Sequence, residues 1–141
     1  MTFEDLRPGL RHHRTLTIGE ALTVPAQARI FDPATEMPPI FATAQMIAFA
    51  EWTCVGLLAP YLAPPQRTVG TRVEMMHLAA TPVGMVVTAD VELVEIDGRR
   101  LRFKVLCRDE AEVIGEGFHE RTLVDHERFM ARLERKQRAI G

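Results

Sequence analysis

Residues 40–59, IFATAQMIAFAEWTCVGLLA, constrain the chain more than any other stretch. The run is long enough for a helix and apolar on nearly every side. Such a helix belongs in an interior, with other elements packed around it. One carboxylate, Glu51, interrupts the run. A buried ionisable group is costly unless it is paired or put to use, so Glu51 marks either a structural contact or a reaction. Thr43, Ile47 and Glu51 are spaced i, i+4, i+8 and lie along one ridge that drifts by about 80°. Thr43 stands near the start, where free backbone N–H groups and the helix dipole favour developing negative charge.

At 141 residues the length predicts one domain, 1–141, with room for a proper core. A net charge of −2 offers no electrostatic case for nucleic acid or an anionic membrane. The run at 40–59 approaches spanning length, but Thr43, Gln45, Glu51 and Thr53 make it a core helix rather than a membrane one. Cys54 and Cys107 sit inside apolar segments and read as reduced core residues of a cytoplasmic protein. The opening MTFEDLRPG is polar and acidic, unlike a signal peptide. His12 and His13 lack the spacing of a metal-ligand set, so no metal site is expected, and no cofactor.

Around the helix the pattern is mostly extended. Residues 10–18 alternate as a strand, with Leu10, His12, Arg14, Leu16 and Ile18 on one face. A short extended piece is expected at Leu22–Val24, ended by Pro25. Residues 32–39 hold three prolines and read as an irregular segment leading into the helix, which APYLAPP at 59–65 then breaks. Residues 67–80 alternate again. Val69, Thr71, Val73, Met75 and His77 share the face toward the helix, opposite Gly70, Arg72 and Glu74. A turn at 81–84 precedes a hairpin of 85–95 and 99–108. Pairing Leu93 with Leu101 leaves a three-residue loop, Ile96-Asp97-Gly98, and sets Glu95 opposite Arg99, Glu92 opposite Arg102 and Asp90 opposite Lys104. Residues 112–124 form a further strand of ambiguous phase. There Gly115 and Gly117 share a face with His119 and Arg121, which predicts a close approach to the backbone. Asp125 caps a peripheral helix over 126–138.

Strand, long helix, then four successive strands predicts an α+β hotdog fold, an antiparallel sheet wrapped around a long central helix. One such sheet leaves an edge and part of the helix for a second copy, so a homodimer is expected.

Three stretches carry a family resemblance: FATAQMIAFAEWTCVGLLAPYL (41–62), TVGTRVEMMHLAATPVG (68–84) and IGEGFHER (114–121). They resemble the fluoroacetyl-CoA thioesterase family of hotdog hydrolases, over about residues 29 to 130. The most specific parts are A-T-x(7)-E-W-x-C and H-x-A-A-T-P-x-G. The resemblance implies a catalytic set of Thr43, Glu51 and His77. It also implies a substrate-adjacent Gly70 and Arg121. Phenylalanines of the fluoroacetyl-specialised lid are replaced by Ala34 and Met37. A flexible thioether is a poor substitute for a rigid aromatic gate, so the chemistry carries over more safely than selectivity for a fluorinated acyl group.

The activity implied by the resemblance is hydrolysis of short acyl-CoA thioesters without a cofactor. Glu51 would attack the carbonyl or activate water, His77 would act as general base, and Thr43 would orient or polarise. A plain structural role stands beside each assignment. Buried glutamates are often hydrogen-bond partners, core-facing histidines are usually just satisfied, and a threonine at a helix start is an ordinary cap. Arg121 can be an ion-pair partner and nothing more. Met37, like Met46, Met75 and Met76, can be simple filling. A hotdog module that binds acyl-CoA without turning it over is the alternative. A hotdog hydratase would need an Asp/His pair at the helix start, and Asp32 has no histidine near it.

Overall fold

The computed structural model describes residues 1–141. Five strands form one antiparallel sheet: β1 (Arg11–Thr17), β2 (Gln66–His77), β3 (Val86–Asp97), β4 (Arg100–Arg108) and β5 (Val113–Asp125). Their order is β1-β3-β4-β5-β2, which leaves β1 and β2 as edges. The helices are α1 (Val24–Phe31), α2 (Thr43–Leu58) and α3 (His126–Ile140). This is the predicted hotdog arrangement, with α2 lying on the sheet. No helix is long and apolar enough to cross a membrane.

The core forms where the inward face of the sheet meets one side of α2. Met46, Ala50, Cys54, Leu57 and Leu58 pack on Val87, Ala89, Val91 and Leu93 of β3 and on Leu101, Phe103, Val105 and Cys107 of β4. The sheet covers only that side and leaves part of α2 open, as expected of one sheet. Trp52 is 63% exposed on the open side. A single layer of five strands can curl around only part of a helix's circumference, whatever the apolar content of the rest.

Other expectations need correction. The helix starts at Thr43, not at 40, because Ile40 and Phe41 are extended and bridge to Pro82 and Thr23. Residues 22–24 are not a strand. Pro25 sits in the first turn of α1, where its missing N–H and fixed φ start a helix rather than end a strand. In the β3–β4 hairpin Asp97 pairs with Arg100 around Gly98-Arg99, with Gly98 at φ 60°. A bulge between Leu93 and Glu95 then brings Leu93 opposite Phe103. The bulge supplies the change of parity that the predicted three-residue loop was meant to supply. The charge pairs move with it: Glu92 faces Lys104 and Glu95 faces Arg102. Asp90 faces Leu106, and its carboxylate lies 3.8 Å from the Arg108 guanidinium.

The predicted helix cap is present, since Asp125 accepts a hydrogen bond from the Arg128 N–H at 3.1 Å. The close approach foreseen at the β5 glycines is present too. A Cβ on Gly115 would stand 2.6 Å from the Met46 sulfur, and one on Gly117 would stand 1.8 Å from the Glu74 carbonyl oxygen.

Candidate active site

Two polar clusters lie along α2. The first is at its N-terminus. The Thr43 hydroxyl and His77 Nδ1 are 2.7 Å apart, joining the first residue of α2 to the last of β2. His77 Nε2 is buried and has no hydrogen-bond partner. Buried polar atoms are nearly always satisfied, so this nitrogen is a candidate for a ligand's use. With its proton on Nδ1, donated to the Thr43 oxygen, the ring keeps a free lone pair on Nε2. That is the form a general base requires. Ala42, the N-cap, has no side chain to bond the first N–H groups of α2, so those donors lie open beside the pair.

The second cluster surrounds Glu51. Arg121 Nη1 is 3.5 Å from Glu51 Oε2, and the arginine side chain is almost wholly buried while Glu51 is about one-third exposed. Arg121 is held on other sides as well. Its Nε donates to Thr68 Oγ1 at 2.9 Å, its Nη2 donates to the Thr68 carbonyl at 2.9 Å, and its Nη1 lies 3.1 Å from His119 Nε2. Gly70 closes the arrangement: a Cβ there would stand 3.0 Å from Glu51 Oε2, 3.2 Å from His119 Cε1 and 3.4 Å from Arg121 Nη1.

Gly70 reaches this position through a bulge. The β2–β5 register shifts between Gly70 and Arg72, leaving Thr71 as the extra residue. Gly70 pairs with Arg121, Val73 with His119, Met75 with Gly117 and His77 with Gly115, so all of these face α2. Strict alternation had placed Gly70 on the opposite face and Thr71 on the helix side. The bulge reverses both.

Electrostatics separate the groups. Burial, reinforced by the Arg121 charge, holds the His119 imidazole below the usual histidine pKa, against the pull of its hydrogen bond to the Arg72 carbonyl. Burial also lowers the Arg121 guanidinium, and Glu51 opposes that shift. Cys54, on the buried side of α2, is raised by burial far above a usable range, and Cys107 is pushed up to about 12. Both thiols are free, buried and protonated at neutral pH, so neither serves as a nucleophile.

Glu51, Trp52, Leu62, Arg67, Thr68 and Arg121 line a cleft of about 520 Å³, in the range of small-molecule sites. No hydrogen bond joins Glu51 to Thr43 or His77. Eight residues of helix separate Thr43 from Glu51, roughly 12 Å along the axis. Met37 stands 41% exposed in the 32–39 segment, in neither cluster. The expected residues therefore fall into Thr43 with His77 and into Glu51 with Gly70 and Arg121. Thr68 and His119 join the second group without having been foreseen. The only signal for His119 was its shared face with Arg121 in β5. His12 packs on α2, its Nε2 2.9 Å from where a Cβ of Gly56 would stand.

Known proteins place this arrangement in a family. Residues 11–127 match the model of the FlK family, the fluoroacetyl-CoA-specific thioesterases. The chain is 43% identical over 101 residues to a fluoroacetyl-CoA thioesterase of Streptantibioticus cattleyicolor, a match covering 72% of this chain and 73% of that protein. A solved structure of the fluoroacetyl-CoA thioesterase FlK superposes with a TM-score of 0.89 at 37% identity, over 93% of this chain and 97% of that one. A variant of FlK in complex with fluoroacetate and CoA gives 0.85 at 37% identity, over 88% and 99%. A thioesterase-superfamily protein of Thermus thermophilus, 22% identical with a TM-score of 0.85 over 94% of each chain, shares the fold. By family model, sequence and superposition, the chain belongs to the fluoroacetyl-CoA-specific thioesterase family and is a hotdog acyl-CoA thioesterase.

Proposed function

We propose that the protein hydrolyses short acyl-CoA thioesters, fluoroacetyl-CoA among the candidates, with Glu51, His77 and Thr43 as its catalytic residues. The observation that carries this reading is a carboxylate pinned beside a buried arginine, together with a histidine whose Nε2 is buried and unpartnered. Glu51 either attacks the thioester carbonyl carbon, forming an anhydride and expelling CoA thiolate before water cleaves the anhydride to the free acid and Glu51, or takes a proton from a water whose attack expels the CoA thiolate. Arg121 orients the carboxylate through the contact at 3.5 Å. The Thr43–His77 pair works at the other end of the carbonyl group. The open N–H groups of α2 stabilise the oxyanion, and His77 exchanges a proton with the leaving thiolate. Gly70 leaves room for the acyl group beside Glu51, and Met37 approaches the acyl tip from the 32–39 segment.

The two clusters lie too far apart on one helix to act on one carbonyl group. We infer a homodimer in which Glu51 of one copy meets the Thr43–His77 pair of the other. The open face of α2 and the unpaired edge of β2 support this, since both are surfaces that a second copy would cover. The buried free thiols suit a reducing, cytoplasmic setting.

Thiol release from acetyl- to hexanoyl-CoA tests the catalytic reading. Glu51→Gln is expected to lower kcat on the order of a thousandfold, with KM little changed. Wild-type turnover in that variant removes Glu51 from the chemistry, and tight acyl-CoA binding by the wild type without thiol release would favour the carrier reading instead. The shared site has its own test. Mixed dimers of Glu51→Gln and His77→Ala chains, each inactive alone, regain activity if one site draws on both copies. They stay inactive if each chain holds a whole site.

A further inference from the structure

His119 is 1% exposed, faces α2 from β5, beside the edge strand β2, and is not among the groups assigned to the chemistry above. A histidine in that setting would usually be bonded once and left. This one is bonded at both ring nitrogens: Nδ1 lies 2.8 Å from the Arg72 carbonyl oxygen and Nε2 lies 3.1 Å from Arg121 Nη1. The two partners settle its protonation. A carbonyl oxygen only accepts, and a guanidinium nitrogen only donates. Nδ1 must therefore carry the proton, and Nε2 must offer its lone pair to Arg121. Arg72 directly follows the β2 bulge, the same irregularity that turns Gly70 toward Glu51.

Arg121 is thereby held from three sides. Thr68 takes two of its donors, His119 takes one, and the remaining contact is the one to Glu51 at 3.5 Å. We propose that His119 is a positioning residue for the Glu51 half of the site: the neutral ring, with its proton fixed on Nδ1, holds Arg121 against Glu51, and protonation of Nε2 releases it. This rests on the catalytic reading of Glu51. A protonated Nε2 would set two donors face to face and two cations side by side, so the contact cannot survive it. Burial and the Arg121 charge both oppose that protonation, so the holding form persists at neutral pH. The charged and titratable groups around the ring are Arg121 on its own strand, Glu51 and the protonated Cys54 on α2, and Glu120 on the far face of β5. On the flanking strands its pair positions are Val73 and Phe103, neither of which titrates.

The test compares His119→Leu, which removes both bonds, with His119→Gln, whose amide oxygen reaches toward Arg121, and His119→Asn, whose shorter amide reaches only toward Arg72. Each is assayed by thiol release from acetyl-CoA between pH 5 and 9. His119→Leu is also made in an Arg121→Gln background. At pH 8, His119→Leu and His119→Asn are expected to lose on the order of tenfold in kcat with KM moving less, while His119→Gln stays within about threefold of wild type. In the Arg121→Gln background, His119→Leu should add almost nothing, because its effect passes through Arg121. The acid side of the kcat profile should lose one protonation in His119→Gln. If His119→Leu does not fold, the contrast between the asparagine and glutamine variants carries the same decision. Equal kcat in the glutamine and asparagine variants, or an undiminished cost of His119→Leu in the Arg121→Gln background, overturns the proposal. A Glu51→Gln control separates the two failures. Normal turnover there sinks the catalytic reading itself, whereas an inactive control beside indistinguishable His119 variants sinks only the role of His119.

Discussion

Gly70 shows how much of the site depends on a missing atom. Its neighbours are the carboxylate, the imidazole and the guanidinium of the Glu51 cluster, and the three distances a Cβ would meet run from 3.0 to 3.4 Å. Its φ is not in the left-handed region, so the backbone would accept alanine. The conflict is with the side chains. The nearest of them, Glu51, is partly exposed and can move aside, which makes the substitution cheap for folding and costly for geometry. Gly70→Ala is expected to keep the wild-type melting temperature within a few degrees while kcat falls on the order of tenfold. Calorimetry paired with the thiol-release assay checks both halves. An alanine variant with full activity would show that Glu51 need not sit where it does. Residue types told part of this in advance: Glu51 was conspicuous as an acid in an apolar run. The partners of that acid come from residues 68, 70, 119 and 121, and nothing local to α2 announces them.

At the scale of elements, β2 and β5 form the scaffold that brings both clusters to one face of α2. Their contact is unusually close at Gly117, where a Cβ would overlap the Glu74 carbonyl at 1.8 Å, backbone that cannot step aside. Gly117→Ala should therefore separate the strands and destabilise the fold by about 3 kcal/mol or more, measured by urea unfolding. A loss below about 1 kcal/mol would mean that the sheet accommodates the methyl group by a local shift. The bulges belong to the same scale. Alternation correctly identified 67–80 and the 85–108 hairpin as strands, and the core face of the hairpin, Val87 to Cys107, matches the buried residues. It failed at Thr71 and Val94, where one extra residue inverts the phase. A bulge leaves composition and hydrophobicity unchanged, so a period of two cannot reveal it.

For the whole molecule, three buried groups set the response to acid. Glu120, salt-bridged mainly by Arg102 and also by Arg100 on the outer face of the sheet, is held below the usual glutamate value. Burial pushes Asp109 up, but hydrogen bonds from Ala111 N–H, the Thr81 hydroxyl and Glu112 N–H outweigh it and hold it low. Both carboxylates contribute stability that is present above their unfolded values, 4.5 and 3.8, and is lost as pH falls toward their folded ones. His119 acts with the same sign by a different route. Its folded pKa lies below the ordinary 6.5, so as pH drops through 6.5 the unfolded chain gains a proton that the native state refuses. Stability should thus begin to fall near pH 6.5 and fall further below about 4.5. Urea titrations at a series of pH values check this, and His119→Gln is expected to remove the first step and leave the second. A flat profile between pH 7 and 5 in the wild type would mean that His119 titrates normally in the folded protein.

The linear chain determined the kinds of element and much of their order. An apolar run of helical length needs a covering sheet, alternating segments supply one, and Asp125 starts the last helix. The motifs within those elements also carried the family and pointed to Thr43, Glu51 and His77. Tertiary structure decided the rest: that Thr43 meets His77, and that Gly70 turns inward to join Thr68, His119 and Arg121 around Glu51. The physical reason is range. Periodicity and capping are properties of neighbours a few residues apart, whereas all but one of the hydrogen bonds of the site, the His119–Arg121 contact, join residues 34 to 70 positions apart.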